Sequence, residues 1–156
     1  MAAPTLSHLI LTGALIGLIF AVQVFYFYVV DDISSEMLRR ELRELTDYVA
    51  DTIANLYLLL NATNTNPPLE KTLRLPLDVG GSFYTLEITY DVDNNDAQAV
   101  LGIIQGKSWL NVTSWLPRGL KVDVSRTRTI GYSVKTAVAG CLRIASNVYV
   151  WIAYKE

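Results

Sequence analysis

No charged side chain precedes Asp31, and all 13 Lys/Arg and all 15 Asp/Glu of the 156-residue chain lie at or beyond it. That asymmetry constrains the fold more than any other feature of the sequence. From Leu9 to Val30 the chain reads "LILTGALIGLIFAVQVFYFYVV", interrupted by Thr12, Gln23 and two glycines. Twenty-two helical residues rise roughly 33 Å, close to the ~30 Å hydrocarbon core of a bilayer. Hydrophobic residues make up 51% of the chain, barely above the ordinary ~45–50%. The positive mean hydropathy of +0.29 therefore reflects concentration in one segment. A cleavable secretory signal has a basic start, a shorter apolar run and a small-x-small junction. "MAAPTLSH" has no Lys or Arg, and the run ends in "FYFYVVDD", so retention of the segment is expected.

Within the segment, Gly13 and Gly17 form a G-x-x-x-G pair, with Ala14 and Ala21 close to the same side. Small residues four apart let a second helix approach closely where packing, not water, drives association. Glycines are also simply tolerated in membrane helices, so the pair alone does not decide. Residues 25–28, "FYFY", suit an interfacial aromatic belt. Gln23 is the strongly polar side chain at depth, a candidate for a hydrogen bond across a helix interface. Orientation is pulled both ways. Arg39, Arg40 and Arg43 favour a cytoplasmic C-terminal part by the positive-inside count. Two N-x-[ST] acceptors, Asn61-Ala62-Thr63 and Asn111-Val112-Thr113, favour an external one. The external placement is the expectation.

After Val30 no Gly or Pro occurs until Pro67. Ile33, Met37, Leu38, Leu42, Leu45, Val49, Ile53, Leu56 and Leu60 recur at spacings of mostly three and four, an amphipathic helical stripe. The opposite face carries Glu36, Arg39, Arg40, Glu41, Arg43, Glu44, Asp47 and Asp51. Pairs four apart (Glu36–Arg40, Arg40–Glu44, Arg43–Asp47) add a few tenths of a kcal/mol each. The pattern predicts one continuous helix from near Leu6 to about Leu60, on the order of 80 Å long. Its stripe must be covered by the chain's own C-terminal half, by neighbouring copies, or by both.

"NATNTNPPLEK" is polar and aperiodic and reads as a connector. The texture then changes to period two. Tyr84, Leu86, Ile88 and Tyr90 alternate with Thr85, Glu87 and Thr89; "LKVDV" alternates similarly; Val148, Val150, Ile152 and Tyr154 share one face. Turn signals stand at Gly80-Gly81, Asp93–Asp96, Pro117-Arg118-Gly119 and Gly140. About six or seven short strands are expected, arranged as an antiparallel sandwich or curled sheet. "VYVWIAYKE" is a candidate edge strand able to pair with a neighbour. The fold class is thus α+β, with residues 1–30 a hydrophobic transmembrane or filament-core helix, 31–61 its amphipathic continuation, 62–70 a linker and 71–156 a β-rich domain.

Signs of chemistry are sparse. The single histidine, His8, has no acid or nucleophile nearby in sequence, and the single cysteine, Cys141, reads as a buried small hydrophobe. "DVDNND" at 91–96 has the oxygen density of a calcium loop without its glycine and distant glutamate. A plain hairpin turn is the favoured reading. No phosphate-binding loop, dinucleotide fingerprint, metal-ligand spacing or nucleophile elbow occurs. A charge of −2 without a basic run gives no footprint for nucleic acid. Neither catalysis nor a cofactor is expected. Trp109, Trp115, Trp151 and nine tyrosines should mostly fill the core, with some left for an adhesive or assembly face.

A hydrophobic N-terminal helix continuing as an amphipathic one, followed by a β-rich domain of this size, resembles the type IV pilins, the archaeal branch more than the bacterial. "LRLPLDVGGSFYTLEI" (residues 73–88) is similar to a stretch of archaeal pilin-like proteins in which Leu-Pro precedes a Gly turn and a Tyr-containing strand. The resemblance implies a β-sandwich domain, N-terminal helices bundled in a filament core, and removal of a short basic leader by a dedicated peptidase. Here no Lys or Arg precedes the apolar run, and the bacterial glutamate near the start of the helix has no counterpart; Thr5 and Ser7 are the nearest polar residues. The chain either starts after processing or is never processed. The resemblance implies a cell-surface homopolymer for adhesion or motility, passing through the membrane before assembly and using an assembly platform. Gly13, Gly17, Ala21, Gln23, Leu38, Leu42, Leu45, Val49 and Ile53 would carry helix packing and assembly. The alternative is a membrane-anchored accessory protein whose external sandwich binds an envelope layer or anchors a filament. Asn61 and Asn111 are the candidate glycan acceptors.

Overall fold

A computed structural model of the chain describes residues 3–63, 67–131, 133 and 135–155. The chain divides into two compact units, Met1–Met37 and Leu38–Glu156. A single helix, α1 (Ala3–Thr63), supplies all of the first unit's regular structure and the opening element of the second. The absence of Gly and Pro between Gly17 and Pro67 leaves nothing to break it. Residues 62 and 63 still belong to α1, and 64–66 of the expected linker lie outside the described residues.

Eight strands follow: β1 (Leu69–Leu73), β2 (Tyr84–Tyr90), β3 (Ala97–Ile104), β4 (Lys107–Trp115), β5 (Leu120–Val122), β6 (Ile130–Gly131), β7 (Ala137–Ile144) and β8 (Asn147–Tyr154). They form two four-stranded sheets, ordered β1-β7-β8-β5 and β4-β3-β2-β6. All pairings are antiparallel except β5 with β8, which run parallel from Leu120↔Val148 to Val122↔Val150. The count exceeds the expected six or seven for a physical reason. β1 carries "LEKT" where an alternating signal would be needed, and β6 is two residues long, so neither has a legible period. β8 is not an edge strand: β7 flanks it on one side and β5 on the other. The parallel partner reaches it through a return of the chain that its own sequence does not encode. The true edges are β1 and β5 in one sheet, β4 and β6 in the other.

One hydrophobic core joins both sheets to the helix within the second unit. Leu38, Leu42, Val49, Ile53 and Leu60 are buried on α1, beside Leu86, Ile88, Val100, Ile104, Leu110 and Val112 of one sheet and Ala139, Cys141, Val150 and Ile152 of the other. Each such aliphatic side chain contributes roughly 1.5–3 kcal/mol when fully buried. The close approach of α1 to β3 is made at Gly102. An added Cβ there would stand 2.7 Å from Thr46 Cγ2 and 3.1 Å from Leu42 Cδ1. Thr46 is fully buried, and its hydroxyl donates to the carbonyls of Leu42 (3.1 Å) and Arg43 (2.9 Å). That internal bonding explains how a polar residue occupies the buried face of a helix.

The segment from Leu73 to Ile88 forms the clasp between helix and sheet. Gly80 and Gly81 take positive φ (52° and 76°), a conformation that favours glycine. The Asp78 carboxylate accepts from the Gly81 N–H at 3.0 Å. Gly80 also seats the turn on the helix, since a Cβ would lie 2.6 Å from Leu38 Cδ2. Tyr84 is fully buried at the start of β2 and donates its hydroxyl to the Pro76 carbonyl at 2.6 Å. Burial raises its pKa to about 12, with the charges of Tyr154 and Asp78 adding to the effect. On the other sheet the Trp151 indole lies over Gly140, where a Cβ would collide with the ring. The Arg126 guanidinium covers the indole at 4.9 Å.

Candidate assembly surface

Among its described residues the first unit consists of helix alone, and its apolar side chains from Leu9 to Val30 are largely uncovered. Fifteen large apolar or aromatic residues between Leu9 and Val30 are exposed, among them Leu9 (75%), Phe25 (69%) and Tyr28 (76%). Monomeric soluble proteins seldom show contiguous apolar patches beyond a few hundred Å2. A helix exposed all round its circumference needs lipid or other helices. Among the described residues this is the one helix long and apolar enough to cross a membrane.

Gly13 and Gly17 have nothing within 4 Å of where a Cβ would stand. His8, Leu9, Thr12, Gly13 and Ile16 outline a shallow groove beside Gly13. Gly13, Gly17 and Ala21 step round the helix by about 40° each, forming one strip of small residues. Gln23 lies about 160° from Ala21 by the same arithmetic, so the structure does not bring it onto that strip. It is exposed on another face.

The other candidates separate from these. Leu38, Leu42, Val49 and Ile53 lie in the second unit's own core, and Leu45 packs partly buried against it. The chain's own β domain covers the stripe from Leu38 to Leu60. Ile33 (56%) and Met37 (60%), at the head of the stripe, are exposed in the first unit. On the charged face Arg40 pairs with Glu44 at 3.6 Å, both side chains solvated. Asp47 instead accepts a hydrogen bond from Ser114 Oγ of β4 at 2.5 Å.

The two sequons differ. Asn61 is exposed in the last turn of α1, and its side-chain oxygen accepts from the Arg143 guanidinium of β7. Asn111 lies on the outward row of the edge strand β4, its amide donating at 3.3 Å to the Ser108 carbonyl. The same row carries Trp109, Thr113 and Trp115, and the two tryptophans are 58% and 76% exposed. Trp151 alone of the three is buried (2%), on the outer face of its sheet between Gly140 and Arg126. Sequence reading expected most aromatic surface inside. The alternation of β4 shows the row, but not which face turns outward.

Among the described residues no cluster of His, Cys, Asp and Glu could hold a metal ion. Residues 91–96 make a hairpin turn: Asn95 takes φ 55°, its N–H donates to the Asp91 carbonyl, and the Asp91 carboxylate accepts from the Asp93 N–H at 3.1 Å. Cys141 is buried in the core, and burial pushes its thiol up to about 11. Comparison with protein-family models, with characterised proteins and with solved structures gives no match.

Proposed function

We propose that the protein is a structural subunit of a type IV pilus-like filament on the cell surface, assembled through its N-terminal helix and serving adhesion or motility. The observation that carries this reading is the division of labour within α1. Residues 9–30 are uncharged and uncovered, while the stripe Leu38, Leu42, Val49, Ile53 and Leu60 of the same helix is buried in the core of the β domain. An ordinary anchor needs no such integration, because a flexible tether would hold a domain to a membrane equally well. A subunit whose helix must bear load between a helical bundle and an outer domain does need it. In this reading copies of the chain are the partners, the helix rests in the membrane before assembly, and Gly13 and Gly17 give the close approach.

Shearing cells tests it. The protein should leave with extracellular filaments and be their main component. Retention in the membrane until detergent is added, with no filament released, refutes the subunit reading. It would support the alternative, a membrane-anchored accessory protein whose sandwich binds an envelope layer. The observation favouring that alternative is the ~33 Å rise of the uncharged run, which suits a single bilayer crossing.

A further inference from the structure

An open helical filament requires heterologous contacts, in which one patch of a subunit meets a different patch of the next. The second unit carries two patches of opposite charge. The first is a cavity of about 640 Å3 on the outer side of the β1-β7-β8-β5 sheet. Among the described residues its rim holds Arg126, Arg128, Lys135 and Lys155 with one lining acid, Glu70. Arg126 is fixed there, stacked on Trp151 and 3.5 Å from Asp123. The other three cations have no ion pair with a described residue. Four of the chain's 13 cations thus surround one cavity in a protein of net charge −2.

The second patch is the β2–β3 turn. Asp91, Asp93 and Asp96 stand within six residues that include no cation, and none of the three makes an ion pair with a described residue. Val92 at its tip is 82% exposed. The turn is acidic and exposed at its tip; its backbone is held by its own hydrogen bonds and by β5, where the Val122 N–H donates to the Asn95 carbonyl and Lys121 stands opposite Asp96. The cavity volume falls within the range of about 300–1,000 Å3 typical of small-ligand sites.

We infer that the basic cavity receives the acidic β2–β3 turn of a second copy of this chain, forming an electrostatic contact between successive subunits. The inference rests on the filament reading and names the partner surfaces within it. Complementary patches of this kind steer encounter and fix register more than they add affinity. They also keep like patches apart.

Charge reversal in the full chain tests the contact by the yield of sheared filaments. Arg128→Glu with Lys135→Glu reverses the cavity, and Asp93→Lys with Asp96→Lys reverses the turn. Each double variant should lower filament yield at least tenfold, and the four substitutions together should restore it to within about threefold of wild type. Restoration also shows that the variants fold. Neutral Arg128→Gln with Lys135→Gln should lower the yield less than reversal does. Wild-type yield from either double variant overturns the contact and leaves the filament reading standing. Loss in both without restoration also overturns it. Absence of filaments from the wild type itself removes the filament reading, and the contact with it.

Discussion

Replacing Gly102 with alanine places a methyl group in the closest contact between α1 and the β domain. The added carbon would stand 2.7 Å from Thr46 Cγ2 and 3.1 Å from both Leu42 Cδ1 and Cγ. Carbon atoms pack best at about 3.5–4.0 Å, so the overlap approaches 1 Å on one side and exceeds 0.4 Å on the other. Thr46 cannot easily give way. It is β-branched, fully buried and bonded to two carbonyls of its own helix. Leu42 is fully buried as well. Relief must come from separating helix and sheet, and overpacking of this kind costs about 1–3 kcal/mol. Thr46→Ser removes the nearer methyl, so the double variant should recover about 0.5–2 kcal/mol relative to additivity. The measurement is equilibrium unfolding of the full chain in detergent, followed by tryptophan fluorescence, across wild type, both single variants and the double. A Gly102→Ala change below about 0.5 kcal/mol, or strictly additive effects, would show that α1 does not bear on β3 as described.

Several other outcomes follow from the same geometry. Gly13→Leu with Gly17→Leu should abolish or sharply reduce filament release while leaving the unfolding midpoint of the β domain unchanged; normal filaments would dismiss close packing at that strip. Native protein should carry a glycan at Asn111, seen as a mass excess that Asn111→Gln removes, whereas Asn61, tied to Arg143, should be the less occupied site. Cys141 and Tyr84 have folded pKa values raised to about 11 and about 12 from ordinary values of 9.0 and 10.0. Folding therefore favours their protonated forms. Their contribution is complete below pH 9 and is lost as pH climbs through 9–11 for the thiol and 10–12 for the phenol. Unfolding midpoints measured across that range should fall, and Cys141→Ala should flatten the first part of the decline. Ile53→Ala, at a fully buried site, should cost about 2–5 kcal/mol, read in the same unfolding assay.

How the contacts distribute between sequence and fold is clearest in α1 itself. The helix was legible end to end, because the apolar run, the three-and-four spacing from Leu38 to Leu60 and the absence of breakers are all local properties. So were the inward row Val148, Val150, Ile152 of β8, the buried thiol of Cys141 and the hairpin turn at 91–96. The partner of each surface was not legible. The stripe Leu38–Ile53 matches a sister helix as well as it matches a sheet, and only folding shows that the β domain takes it. Gly102 and Thr46 lie 56 residues apart, and nothing near either announces the other. The same holds for β8, central because β5 returns to lie parallel beside it. It holds too for the basic cavity, whose charged rim is drawn from residues 70, 126, 128, 135 and 155 with no basic run among them. Periodicity and solvent preference act over a few residues, so the chain specifies its own elements and the faces they must bury. Which face meets which depends on long-range closure, and that the tertiary structure alone decides.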